Sequence, residues 1–326
     1  MSKNIDYMFM MNYVDTFFSN NSIINSDEIA KSFSDYLKEL DDDDFITKLI
    51  YTGYIPDTYE SDSSEETLFT KLVEVMTAEW ARRMGFNSEY VKQKASYQDV
   101  NIMIDNKMIV CDSKSFRLGR SQAAPNVKDF LKLADISKWL DRYPKEQRLG
   151  GLVVYPCKHE WTKGSDAYQY CSTKSIPTIM LPYKYLAFLL YYSKSYNTNN
   201  LKKLWEFNRI FPNSLKNKST NKGEYWKIID KELITITNTS ADKLKSFLDY
   251  ANQLINNYIK VNIFYLNNLV ETIKEEKKKQ LDELDKELLE QMLLNLMIKE
   301  DTKSIEQSII NINKFRINES EKKDAA

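Results

Sequence analysis

Apolar residues at helical spacing dominate the chain. Residues 1–60 divide into short amphipathic helices, with Leu37, Leu40, Phe45, Leu49 and Ile50 as the expected core contacts. The run Asp41–Asp44 marks a helix boundary, with acidic charge placed in the first turn of the next helix. Ser61-Asp-Ser-Ser-Glu-Glu is a polar loop suited to capping the helix after it. Along that helix Leu68, Leu72, Val75, Met76 and Trp80 recur three and four residues apart, and Gly85 ends it. The pattern then changes. Asp99–Ile104 and Met108–Ser113 are two expected strands around Asp105-Asn106, a pair that favours a tight turn. Asn126–Leu140 is an amphipathic helix with Phe130, Leu133, Ile136 and Leu140 on one side. Gly151–Tyr155 and Thr178–Leu181 have the continuous apolar character of fully buried strands, and Tyr183–Tyr192 is an apolar helix. Beyond residue 195 the only strand signal is Leu233–Ile236. Lys243–Tyr265 and Val270–Met297 are expected as long helices, with Leu281, Leu284, Leu288 and Met292 as an apolar stripe. The sum is an α/β core over 61–193 between an N-terminal helical region, 1–60, and a C-terminal one, 194–326.

Composition agrees. Only seven Gly and seven Pro in 326 residues favour long helices, and 42% apolar with 29% charged residues excludes a disordered chain. Three scattered Cys cannot form a disulfide framework, which points to a reducing compartment. The start does not read as a signal peptide, and the longest apolar run, Tyr185–Tyr192, is too short to span a bilayer. The expectation is a soluble cytoplasmic protein. A net charge of −1 provides no bulk attraction for nucleic acid, but residues 113–148 hold nine basic side chains against four acidic ones. Such a strip suits a polyanion, although a solvated helix face has the same look.

The informative stretch runs from Asp99 to Lys114. If Asp105-Asn106 is a two-residue turn, Ile102 faces Ile109 and Val100 faces Cys111, while Asp99 falls opposite Asp112, with Cβ atoms ~5 Å apart. Lys114 projects from the same face as Asp112. Two facing carboxylates repel and call for a cation, and all-oxygen ligands with open positions suit Mg²⁺. A neighbouring lysine can hold the attacking water and offset charge developing on a phosphorane. The pattern describes metal-assisted phosphodiester hydrolysis, and an ordinary exposed hairpin is its plain alternative. Cys157, His159 and Cys171 supply only three soft ligands at a spacing no common finger uses, so buried cysteines and a loop histidine are expected there. Gly-rich phosphate loops and Ser/Cys–His nucleophile pairs are absent.

Asp99, twelve residues, then Asp112-Ser-Lys resembles the PD-(D/E)XK nuclease superfamily. Glu66-Thr-Leu-Phe-Thr-Lys, Asp112-Ser-Lys-Ser-Phe-Arg-Leu-Gly-Arg120, Lys128-Asp-Phe130 and Ser137-Lys-Trp139 together resemble the HindIII family of type II restriction endonucleases, over roughly residues 65–192. The resemblance implies a restriction-endonuclease-like fold, a mixed β-sheet core flanked by helices. It also implies a Mg²⁺-dependent homodimer that cuts both strands of a short DNA palindrome, with AAGCTT suggested, and a DNA methyltransferase as genetic partner. Asp99 and Asp112 would be metal ligands and Lys114 the lysine at the attacking water. Glu74 stands where the family carries a helical carboxylate, whereas periodicity alone points to Glu79. Gln98 stands where the superfamily name has Pro.

The segment that leaves the catalytic strand carries residues fit for DNA. Arg117 and Arg120 suit phosphates, Asn126 pairs with adenine, Lys128 donates to guanine, and Asp129 accepts from cytosine. In the alternative, Asn126 only caps the helix. Two rival functions are another PD-(D/E)XK nuclease, of repair or structure-specific type, and a non-catalytic DNA-binding protein.

Overall fold

A computed structural model of the chain describes residues 5–20, 25–91, 97–117, 127–156, 167–211, 224–282 and 284–314. The chain divides into two compact units, residues 1–262 and 263–326. In the first, three N-terminal helices, α1 (Phe9–Asn20), α2 (Ser26–Glu39) and α3 (Asp42–Ile50), bury Leu37, Phe45, Leu49 and Ile50. Asp41 caps α3 through its side chain, which accepts from Asp44 N at 2.8 Å, and three aspartates occupy the first turn. The acidic run is therefore a helix start, as its charge against the helix dipole suggested.

Helix α4 (Ser64–Arg83) begins at the Ser63 cap and stops at Gly85, whose φ of 86° is the left-handed conformation that a glycine adopts without strain. Every residue from Lys71 to Ala81 is buried. One side of α4 contacts α1 and α2, another the sheet, and Trp80 Nε1 donates to Leu186 O at 2.8 Å. A helix enclosed on all sides has no solvent face. The wheel drawn from its apolar positions therefore could not say which carboxylate looks toward the site.

The five-stranded sheet has the order β2-β3-β4-β6-β7, from β2 (Asn87–Tyr90), β3 (Val100–Ile104), β4 (Lys107–Ser113), β6 (Arg148–Tyr155) and β7 (Thr178–Pro182). Its first three strands are antiparallel and its last three parallel, so this is the mixed sheet flanked by helices that was expected. A separate parallel pair joins β1 (Tyr54–Ile55) to β5 (Phe116–Arg117). The hairpin register matches the mirror pairing about Asp105-Asn106: Val100 opposes Cys111, Ile102 opposes Ile109 and Ile104 opposes Lys107. Asp105 and Asn106 have φ of 48° and 60°, the conformation that a two-residue turn of this hand needs.

Three elements differ from expectation. The helix expected over Asn126–Leu140 is two, α5 (Val127–Leu131) and α6 (Leu133–Leu140), separated by Lys132 at φ 45°. The break lets Leu131 reach the core, where it is fully buried, although it lies off the stripe of Phe130, Ile136 and Leu140. Leu233–Ile236 is not a strand but the end of the helix Glu224–Thr237. Its buried residues Tyr225, Ile229, Leu233 and Ile236 follow helical spacing, which a four-residue window of branched side chains conceals. The C-terminal helices run Ala241–Asp282 and Lys286–Lys314. They divide at Asp285, whose side chain accepts from Leu288 N at 2.9 Å, and not between 265 and 270.

In the second unit the stripe Leu281, Leu288 and Met292 is exposed, as are Phe264, Leu293 and Leu296. Among the described residues no helix is long and apolar enough to cross a membrane.

Candidate active site

The C-terminal ends of β4 and β6 lie side by side, with Asp112 opposite Val153, and Lys114 N donates to Val154 O at 2.8 Å. This fixes the backbone on either side of Asp112. Asp99 stands just before β3, and its backbone N donates to Cys111 O at 3.0 Å. Its carboxylate turns back across the strand end, where Oδ2 accepts from Ser113 N at 2.7 Å. The hairpin thus brings together the two carboxylates that the mirror pairing placed opposite each other.

Asp112 is buried, and its Oδ2 lies 2.6 Å from Lys114 Nζ. That oxygen accepts no aligned hydrogen bond, so the contact is a pairing of charges. Lys114 Nζ stands 5.9 Å over the Phe130 ring, which links the site to α5. Burial holds the Asp99 carboxyl well above the usual carboxylate range, and the negative charges of Glu74 and Asp112 push it further. The Ser113 N–H and Lys114 act in the opposite direction. Concentrated negative charge at a strand end, with one ammonium already drawn onto it, is an arrangement that a divalent cation would relieve. Among the described residues no three His, Cys, Asp or Glu side chains form a metal-holding group. An ion here would rest on Asp99 and Asp112, with water and a substrate phosphate completing its shell, which is the mode Mg²⁺ favours.

Glu74 and Glu79 are both buried, but their surroundings separate them. Glu79 binds Arg82 at 3.0 Å through Oε2 and Arg83 at 2.9 Å through Oε1. These arginines continue to Ser34, Asp42 and the Leu37 and Leu40 carbonyls, on the N-terminal helices. Glu79 is a buried structural tie. Glu74 is the helical carboxylate whose charge bears most on Asp99.

The wall behind Lys114 comes from residues that no motif flagged. Tyr183 OH donates to Lys114 O at 3.1 Å, and Ser113 Oγ bonds Thr77 Oγ1 of α4 at 3.0 Å. Gly53, at φ 88°, donates no side chain to this corner because none fits. A Cβ there would stand 2.7 Å from the Tyr183 ring and 3.3 Å from Lys114 O. Gly53 O in turn accepts from Phe116 N at 2.8 Å, which begins the β1–β5 pairing. Gly53, Thr77 and Tyr183 build this wall, and none of them carries a chemical signature in the sequence.

Of the residues expected to meet DNA, Arg117 turns inward. Its Nη2 lies 3.0 Å from Glu66 Oε2, and Nη1 donates to Tyr59 O. Arg120 and Asn126 lie outside the described residues, as do the side chains of Lys128 and Asp129, although α5 carries the latter two. Of the weak zinc set, Cys157 and His159 also lie outside, and Cys171 is a buried free thiol whose pKa burial pushes up.

Comparison with known proteins bears on the same residues. The type II restriction enzyme HindIII of Haemophilus influenzae is 25% identical over 183 residues, an alignment covering 55% of this chain and 58% of that enzyme. The family model of the HindIII restriction endonuclease matches residues 12–292, a span that holds the hairpin, α4 and the wall behind Lys114. With a match across most of its length, the chain belongs to the HindIII restriction endonuclease family.

Proposed function

We propose that this protein is a type II site-specific deoxyribonuclease making Mg²⁺-dependent double-strand cuts in a short palindromic DNA site, AAGCTT being the site the family suggests. The observation that carries the reading is the trio Asp99, Asp112 and Lys114, held at the ends of the paired strands β3 and β4 in a chain of this family. Asp99 and Asp112 hold the ion, which when bound lowers the pKa of its water and offsets charge on the phosphate. Lys114 Nζ, 2.6 Å from Asp112 Oδ2, would hold the attacking water and stabilise the developing negative charge. Glu74, on α4, adds negative charge beside Asp99 for the ion to offset. The enzyme acts in the cytoplasm, with a DNA methyltransferase as its genetic partner.

Purified protein and plasmid test this directly. Discrete fragments are expected with Mg²⁺ or Mn²⁺. With Ca²⁺, binding without cleavage is expected, because its looser geometry activates bound water less well. A Mg²⁺-dependent smear would indicate a non-specific nuclease of the same superfamily, and an intact plasmid would leave only a DNA-binding role.

A palindrome is read most simply by two copies related by its own symmetry. The exposed apolar positions of residues 263–314, Phe264, Leu293, Leu294, Leu296 and Met297 foremost, support a second copy of this chain as what covers them. Light scattering should give twice the 38.4 kDa of the chain. A monomer both free and on DNA would exclude the homodimer.

Base reading is assigned to Asn126, Lys128 and Asp129, with Arg120 on phosphate. Arg117 would reach a phosphate only by leaving Glu66. With Ca²⁺ present, Asn126→Ala or Lys128→Ala should cost ~1–3 kcal/mol on cognate DNA and far less on non-cognate DNA. Equal losses on both would identify phosphate contacts, and no loss would return Asn126 to a helix cap.

A further inference from the structure

Gln98, the residue immediately before Asp99, is only 3% exposed. A glutamine is rarely so enclosed unless its amide is bonded. Gln98 Nε2 donates to Asn101 Oδ1 on β3 and to Tyr143 OH at 3.0 Å, and Tyr143 OH donates to the same Asn101 oxygen at 3.0 Å. The three side chains close a ring. Tyr143 is itself held on both sides. Its N donates to Leu140 O at 3.0 Å, at the end of α6, and its O accepts from Arg148 Nε at 2.7 Å, at the start of β6. One residue earlier in each segment, the Arg142 guanidinium stands 3.7 Å over the Tyr97 ring. Two successive residues ahead of Asp99 are thus engaged by two successive residues after α6. Asp99 itself is bonded through its backbone to Cys111 and Val91, so the ring secures the side of it that these bonds leave open. Among the described residues, Gln98 Oε1 accepts no hydrogen bond. Burying an acceptor without a donor opposes stability, so stability alone does not account for the ring.

We propose that Gln98 and Tyr143 are positioning residues for the metal site: their bond fixes the chain ahead of Asp99 and so the direction from which its carboxylate meets the ion. The inference rests on Asp99 and Asp112 being the metal ligands. Without the bond the Asp99 carboxylate samples more directions, and the ion is held less tightly. A ring that only stabilised the fold would lower the melting temperature and the active fraction, and would leave the affinity for the ion in place.

The test uses the full chain with Gln98→Met, Tyr143→Phe and the double variant. Two midpoints are read: that of Mg²⁺ for plasmid cleavage, and that of Ca²⁺ for retention of labelled plasmid on a filter, which involves no bond breaking. Each single variant should raise both midpoints by about 10-fold. Plasmid bound at saturating Ca²⁺ should match the wild type, because neither residue is assigned a DNA contact. The double variant should be no worse than the worse single, because the two residues act through one bond. Unmoved midpoints in the single variants, or losses that multiply in the double, would overturn the proposal. Should Gln98→Met not fold, Tyr143→Phe decides by itself, since it removes one hydroxyl and keeps the aromatic ring. Asp99→Asn serves as the control. If it still cuts, the metal-site reading itself falls. If it is inactive while the midpoints of the other variants stay in place, only the positioning role falls.

Discussion

Asp99→Asn is expected to abolish DNA cleavage while leaving the metal-free protein at least as stable as before. The activity loss follows from removing one of the two ligands the ion would have: without it the transition state loses ~4 kcal/mol, about a thousandfold in rate. The stability gain follows from the site's own electrostatics. Burial, Glu74 and Asp112 all oppose the charged form of Asp99, which is why its carboxyl lies well above the ordinary range. An acid raised in this way favours the folded state only while protonated. That contribution disappears as pH rises from the unfolded value through the folded one, so the charge is a cost wherever it is carried. Asparagine removes the charge and keeps an oxygen for Ser113 N, now 2.7 Å from Oδ2. Asp112→Asn and Lys114→Ala should abolish cutting to a similar degree, and specific binding should survive best in Lys114→Ala, which keeps both ligands. Single-turnover cleavage and thermal melting in chelator check both halves. Near wild-type cutting by any of the three would remove the active-site assignment.

Gly150→Ala should destabilise the fold more than any other glycine substitution in the sheet. A Cβ at this point of β6 would overlap the Trp205 ring on one side and the Pro177 carbonyl on the other. Neither can move aside. Trp205 Nε1 donates to Gly151 O at 2.9 Å, and Pro177 O accepts from Gly151 N at 2.8 Å, so yielding space breaks a bond that holds the same strand. Overpacking of this kind costs about 3 kcal/mol, which for a chain of this size lowers the melting temperature by roughly 4–6 °C. Gly85→Ala is the comparison, because it meets nothing within 4 Å and has only its φ of 86° to strain. It should cost about 1–2 kcal/mol. Thermal melting ranks the two, and equal losses would show that the space around Gly150 relaxes more readily than its hydrogen bonds imply.

The amino-acid sequence by itself determined the elements whose signals are local. Asp105-Asn106 set the hairpin and with it the register in which Val100 opposes Cys111, leaving Asp99 and Asp112 at the open end, because a two-residue turn leaves one pairing open to its strands. Asp41, Ser63 and Gly85 set helix ends through bonds to backbone groups three to five residues away. The core residues followed from periodicity, and Asp-Ser-Lys carried the family. Tertiary structure alone decided whatever depended on neighbours remote in the chain. It gave Glu74 and Glu79 different surroundings, Lys71 and the charge of Asp99 against Arg82 and Arg83, which periodicity could not distinguish in a helix enclosed on every side. It broke the helix at Lys132 so that Leu131 could be buried, and it engaged Arg117 with Glu66 and Tyr59. It also built the wall behind Lys114 from Gly53, Thr77 and Tyr183, residues 24 to 130 positions apart whose only shared property is where the fold puts them. Local bonds are written in short stretches of sequence, whereas a charge buried among distant partners acquires its role only when those partners arrive.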